Sequence, residues 1–332
     1  MAARRRGKKK SGRSYAWRYR GRIVACVFVE VIIICALVIM IGWNKGVKEW
    51  FEQFEQPVLK EVDISGINSP NAILMQARGG KILGEINGEA QIYPASMTKI
   101  MTVILGIENF DNLDEKITLT DEMFAGLYEQ DATQAGFQPG EEVRVIDLLY
   151  GAMLPSGAEC CIALADTISG SEADFAELMN KKARKLGMEN THFCDSTGLH
   201  NPDHYSTVKD IAVLMKYCIK NDTFREIVET SRHSTGVTNI HPDGITYYST
   251  MFKNLSDPTV TGGKILGGKT GYTSEAGHCL VSFAEIEGRE YIFVSAGASG
   301  ADGNTIPHIQ DAVTVYNRVG AAIEEKMNDN NK

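Results

Sequence analysis

The chain has 332 residues, 43% of them hydrophobic and 23% charged, with a net charge of −8. This is an ordinary globular composition with ample apolar material for a core. The charge is unevenly placed: residues 1–22 hold ten Lys/Arg and no acid, leaving 24 basic against 42 acidic residues for the rest. A basic tail on an acidic body argues against a nucleic-acid-binding domain, although the tail itself suits an anionic lipid surface.

The tail (1–22) is followed by a nearly uninterrupted apolar run, 23–42, in which Glu30 is the only charged residue. About 20 apolar residues are enough to cross a bilayer, and the Arg/Lys cluster before them predicts a cytoplasmic tail with the bulk of the chain outside. The expectation is an uncleaved signal anchor, a single transmembrane helix in the cell membrane. A cleaved signal peptide is the competing reading, but the run is long for an h-region and no small-x-small site follows before Trp43. Residues 43–60 read as a juxtamembrane stalk, with Trp50, Phe51 and Phe54 as an interfacial stripe before Pro57. The globular domain is expected over 61–327. Of seven cysteines, Cys26 and Cys35 fall in the span. Cys160, Cys161, Cys194, Cys218 and Cys279 follow it, in a spacing that matches no disulfide framework or zinc site. Whether any pair bridges is left open.

Residues 72–77 and 82–86 flank Gly79-Gly80 and read as a hairpin. A mostly helical region is expected from about 97 to 232. Its clearest helices are 145–154, 160–168, 172–186 with Gly187 as its stop, and 208–220. Strands return at 268–273, 279–286 and 290–296, the last two as a hairpin. An amphipathic helix over 309–327 ends the pattern. Strands at both ends with helices between predict an α+β fold: one antiparallel sheet built from both ends of the chain, covered by helices, with a second, all-helical lobe.

The chemistry starts at Pro94-Ala95-Ser96-Met97-Thr98-Lys99. Ser96 and Lys99 are three apart, so on a helix their side chains are neighbours. The residues that follow, Ile100 to Ile107, are apolar nearly all round, as in a core helix. Burial favours the neutral form of an amine, and a neutral amine beside a serine hydroxyl makes an activated nucleophile. The pattern S-x-x-K recurs at Ser206–Lys209, but there Thr207 and Asp210 read as a helix N-cap with its acidic partner. The first site is distinguished by its company. Ser156-Gly157-Ala158 follows a helix ending in Met153-Leu154-Pro155, and Lys269-Thr270-Gly271-Tyr272 sits at the start of a predicted strand. Three motifs in fixed order are far more specific than any one. His200 and His204 flank Pro202, which argues against a helical metal pair, and no H-E-x-x-H is present. No metal or cofactor is expected.

On these motifs the chain resembles the D-alanyl-D-alanine carboxypeptidases of the low-molecular-weight penicillin-binding type, within the serine β-lactamase-like superfamily. The likeness spans about 62–318. It includes Phe193 to His200, His204 to Thr207, and Lys269 to Gly277. The resemblance implies a β-lactamase/penicillin-binding transpeptidase-like fold. It also implies a peptidoglycan stem peptide ending in D-Ala-D-Ala as substrate and β-lactams as covalent inhibitors. In this reading Ser96 is the nucleophile and Lys99 its base, while Ser156 relays a proton to the leaving amine. Lys269 and Thr270 hold the terminal carboxylate, Gly271 allows close approach of substrate, and the backbone N–H groups of Ser96 and Tyr272 form the oxyanion hole.

One position departs from the family. The second motif usually reads S-x-N, and here the third residue is Ala158. Two alternatives therefore stand beside the carboxypeptidase: a catalytically weakened penicillin-binding or regulatory module, and a β-lactamase on the same scaffold. No deacylating E-x-x-x-N element between Ser156 and Lys269 supports the latter.

Overall fold

Strand alternation at the end of the chain sets up the architecture. In 289–298, Ile292 and Val294 pack into one apolar cluster while Tyr291 and Phe293 pack into another. Successive side chains of a strand point to opposite faces, so this strand is buried on both sides. A computed structural model describes residues 59–255, 257–300 and 306–330. The basic tail, the apolar span and the stalk up to residue 58 lie outside the described residues.

The main sheet has six antiparallel strands. In chain order these are β1 (Asn71–Gln76) and β2 (Ile82–Ile86), and then, after two short pairs outside this sheet, β7 (Thr259–Val260), β8 (Gly263–Thr273), β9 (Gly277–Ile286) and β10 (Arg289–Ala298). Their spatial order is β2-β1-β10-β9-β8-β7, so both ends of the chain build one sheet, as the strand pattern predicts. One face carries helix α8 (Pro307–Asn330), whose Ile309, Val315, Tyr316, Val319 and Ile323 are buried against Leu74, Leu280 and Phe293. The other face meets α1 (Lys99–Asn109) and α5 (Val208–Cys218). In α1 every residue from Lys99 to Gly106 is buried. Burial of this kind contributes roughly 1.5–3 kcal/mol per large apolar side chain, and it makes the helix a fixed post for whatever its first turn carries.

Other helices between the two parts of the sheet are α2 (Val145–Met153), α3 (Ala158–Ser169), α4 (Glu172–Leu186) and α6 (Asp222–Glu229). Gly187 ends α4 at φ +79°, and the Thr207 side chain caps α5 by accepting from Asp210 N–H, both as expected. The region expected to be all helical is not: it also holds two short hairpins, β3 (Lys116–Thr118) with β4 (Glu142–Arg144), and β5 (Arg232–Ser234) with β6 (Thr246–Tyr248). Three-residue strands rich in polar side chains carry too few positions for an alternation signal. A short helix, α7 (Thr250–Asn254), follows β6. The third motif also moves: Lys269 lies inside β8, not at its start. Gly263, Gly267 and Gly268 mask the first half of that strand, because glycine carries no β signal. The described cysteines, Cys160, Cys161, Cys194, Cys218 and Cys279, are all free.

Candidate active site

Ser96 sits on a 3-10 turn, Ala95–Thr98, that leads directly into α1. The turn is wedged between two glycines. On one side Gly198, at φ +80°, comes so close that a Cβ there would lie 1.9 Å from the Ala95 carbonyl oxygen. On the other, a Cβ on Gly271 of β8 would lie 2.9 Å from Ser96 N and 3.1 Å from Ala95 Cβ. Neither position has room for a side chain. Ala95 itself takes φ +46°.

The four polar side chains that the motifs single out converge. Lys99 Nζ lies 3.0 Å from Ser96 Oγ and donates to the Thr197 carbonyl at 2.6 Å. Ser156 Oγ lies 3.0 Å from Ser96 Oγ. Lys269 Nζ lies 3.0 Å from Ser156 Oγ and donates to the Thr270 carbonyl at 2.9 Å. The result is a continuous chain, amine–hydroxyl–hydroxyl–amine, with Ser96 its least buried member. Burial pushes the Lys269 amine far below the ordinary lysine range, and the charge of Lys99 pushes it the same way, with Cys161 opposing.

Ser156 reaches this position by a backbone feature. It follows Pro155 between α2 and α3 and holds φ +74°, a left-handed conformation that costs a non-glycine residue about 1–3 kcal/mol. Ala158 opens α3, is buried, and offers no polar group. Glu159 turns away from the serines, as expected for a helical segment. Its Oε1 accepts from the N–H groups of Ala135 (2.6 Å) and Gly136 (2.9 Å), while Oε2 is buried without a hydrogen-bond partner among the described residues. Burial pushes its pKa up, and the backbone donors pull against that.

Thr270 Oγ1 lies 2.7 Å from Thr250 Oγ1, at the start of α7. Tyr272 is 62% exposed, and its ring leans on His278 with the ring centres 4.6 Å apart. The second S-x-x-K is no site: Lys209 pairs with Glu89, and Thr207 caps its helix. His200 packs edge-on against Tyr93, whereas His204 faces Thr98 and Asp195.

Several members of the site carry no motif. Thr197 supplies the carbonyl for Lys99, and Thr250 supplies the hydroxyl beside Thr270. Thr197 lies in the segment 193–200 that the resemblance covers, but a carbonyl acceptor leaves no side-chain signature. Asp195 organises this loop. Its Oδ1 accepts from Thr197 N–H (2.8 Å), Thr197 Oγ1 (2.7 Å) and Gly198 N–H (2.7 Å). Burial alone would raise its pKa; the His204 contact and these donors overcome that and hold it at about 2, against 3.8 for a free aspartate. The folded-state value lies below the unfolded one, so the stabilisation is present above about pH 4 and lost as pH falls toward 2. At 1.36 kcal/mol per unit this is about 2 kcal/mol. Acid unfolding of Asp195→Asn should accordingly lack that part of the decline. Chemical denaturation at about pH 5 and about pH 2 checks it, with the wild type losing about 2 kcal/mol more than the variant.

The region that holds these residues matches known proteins. Residues 58–300 match the D-alanyl-D-alanine carboxypeptidase family, peptidase S11. The D-alanyl-D-alanine carboxypeptidase DacF of Bacillus subtilis (strain 168) is 35% identical over 233 residues, covering 69% of this chain and 57% of that one. The D-alanyl-D-alanine carboxypeptidase of Streptomyces sp. (strain K15) is 35% identical over 236 residues, covering 69% and 78%. The crystal structure of the Streptomyces K15 DD-transpeptidase superposes with a TM-score of 0.69 at 30% identity, covering 79% of this chain and all of that one. The matched part spans little more than half the length of relatives such as DacF of Bacillus subtilis and DacC of Escherichia coli (strain K12). Three motifs in order, one sheet made from both chain ends and the extent of the match leave one assignment: the chain belongs to the D-alanyl-D-alanine carboxypeptidase family, peptidase S11.

Proposed function

We propose that the protein is a serine-type D-Ala-D-Ala carboxypeptidase that removes the terminal D-alanine from peptidoglycan stem peptides and is acylated by penicillins. The observation that carries this reading is the pair of hydroxyls held between two buried amines, with Ser96 the most exposed member of the chain. Ser96 Oγ attacks the carbonyl between the two D-alanines, and Lys99 takes its proton. The backbone N–H groups of Ser96 and Tyr272 receive the developing oxyanion; one such donor is worth about 3 kcal/mol in a transition state. The C–N bond then breaks, and Ser156 passes a proton to the leaving amine. Water hydrolyses the acyl-enzyme, freeing the shortened peptide and Ser96. Lys269 and the Thr270 hydroxyl receive the terminal carboxylate, whose charge restores the protonated form that burial disfavours in Lys269. Gly271 lets the peptide lie close to β8.

The basic tail and the apolar run at 23–42 support a single-pass anchor in the cell membrane with residues 61–327 outside the cytoplasm, where the cell wall lies. Trypsin added to intact cells should then cut the catalytic part from the membrane.

Ala158 favours a second reading, a module that binds penicillin but turns over slowly, because the lost Asn would have contacted both substrate and Lys99. One pair of assays separates the readings. The purified protein is expected to take a labelled penicillin on Ser96 and to release D-alanine from a peptide ending in D-Ala-D-Ala, and Ser96→Ala is expected to do neither. Label without released D-alanine supports the binding module. A wild type that takes no label, or a Ser96→Ala variant that behaves like it, overturns both.

A further inference from the structure

A second polar chain leaves the Ser96 turn at Thr98. Thr98 is fully buried, and its Oγ1 lies 2.9 Å from His204 Nε2. His204 is 2% exposed, with Nδ1 3.2 Å from Asp195 Oδ2 and 3.2 Å from the Cys194 N–H. The Phe193 ring abuts the imidazole edge-on at 5.5 Å and fixes its plane. Asp195 holds Thr197 and Gly198 through the three bonds described above. The same loop is tied twice more: Thr102 Oγ1 donates to the Ser196 carbonyl at 2.6 Å, and Ser196 Oγ donates to Glu172 at 2.6 Å.

Carboxylate, imidazole and hydroxyl thus stand in the order of a hydrolytic triad, but the hydroxyl at the end is sealed from solvent and cannot meet a substrate. Its position in the chain is what matters. Thr98 immediately precedes Lys99, and Asp195 immediately organises Thr197, whose carbonyl accepts from the Lys99 amine at 2.6 Å. We propose that Asp195, His204 and Thr98 form a positioning device for the Lys99 amine. They lock the turn that carries the stem of Lys99 to the loop that carries its acceptor. An imidazole suits this task because its two ring nitrogens point in opposite directions from one rigid plane. A proton on Nδ1 serves the carboxylate and leaves Nε2 to accept from Thr98. A proton on Nε2 donates to Thr98 and leaves Nδ1 to accept from Cys194. Thr98 is bonded in both.

The inference rests on Ser96 being acylated with Lys99 as its base, where an error of about 1 Å can cost about 10²-fold in rate. The test is the time course of labelling of the full chain by a fluorescent penicillin at several concentrations. It separates pre-covalent affinity from the acylation rate constant, and the final labelled fraction counts competent molecules. Thr98→Val and His204→Gln are each expected to lower the rate constant about tenfold or more, with affinity unchanged. Thr98→Ser, which keeps the hydroxyl, should stay within about twofold of wild type, and the double variant should be about as slow as the slower single one, because the three groups act as a unit. Wild-type rate constants per competent molecule in both Thr98→Val and His204→Gln overturn the proposal, as does Thr98→Ser being as slow as Thr98→Val. Should His204→Gln fail to fold, the Thr98 pair decides alone. A wild type that takes no label removes the reading of Ser96 and this inference with it, whereas a labelled wild type with unaffected variants removes only the inference.

Discussion

Replacing Lys99 by methionine is expected to slow acylation of Ser96 by roughly 10²–10⁴-fold, the usual contribution of a positioned general base. Methionine nearly preserves the stem of the side chain in a fully packed helix, so the loss is chemical and not steric. One structural consequence accompanies it: the Thr197 carbonyl loses the donor that holds it at 2.6 Å, and an orphaned buried acceptor costs about 1–3 kcal/mol of stability. Single-turnover labelling by penicillin, read beside a denaturation curve, distinguishes these effects. Acylation within about tenfold of wild type would place the base elsewhere, since a residue that takes the proton cannot be dispensed with so cheaply.

The reach of sequence reasoning in this chain follows from what each feature needs in order to be visible. Ser96, Lys99, Ser156 and Lys269 are legible because each brings its own functional group on its own side chain, at a spacing a helix or strand can interpret. The sheet is legible where apolar alternation runs for several residues, as at 290–296, and illegible where glycines replace it, as at 263–268. The hairpins β3–β4 and β5–β6 are too short and too polar to leave a pattern. The site has a further layer that no pattern reveals. Thr197 acts through its carbonyl, Gly198 through the absence of a side chain, and Ser156 through a backbone angle of φ +74°. Thr250 reaches Thr270 from 20 residues away across a turn of chain. Such contributions depend on where the backbone is brought by the tertiary fold, and only the packed structure specifies that.

That backbone layer carries the second large expected effect. Gly198→Ala is expected to destabilise the protein by about 2–5 kcal/mol, combining about 1–2 kcal/mol for a left-handed conformation with about 1–3 kcal/mol for overpacking. The overpacking is severe because the new Cβ would meet backbone, not a flexible side chain: 1.9 Å from the Ala95 oxygen and 2.5 Å from its carbonyl carbon. Relief requires a shift of either the Ala95–Thr98 turn, which moves Ser96, or the loop at 195–198, which moves the acceptor of Lys99. Both routes disturb the amine–hydroxyl contact, so acylation should slow in the molecules that still fold. Gly187→Ala supplies the control. Gly187 has nearly the same φ, +79°, but no atom of the described residues within 4 Å of its Cβ position, so it meets only the conformational cost. The difference between the two variants in denaturation midpoint and in acylation rate per competent molecule isolates the contact with the nucleophile turn. Equal losses in the two would mean that Gly198 is required for its backbone angle alone and that the turn does not depend on it for its place.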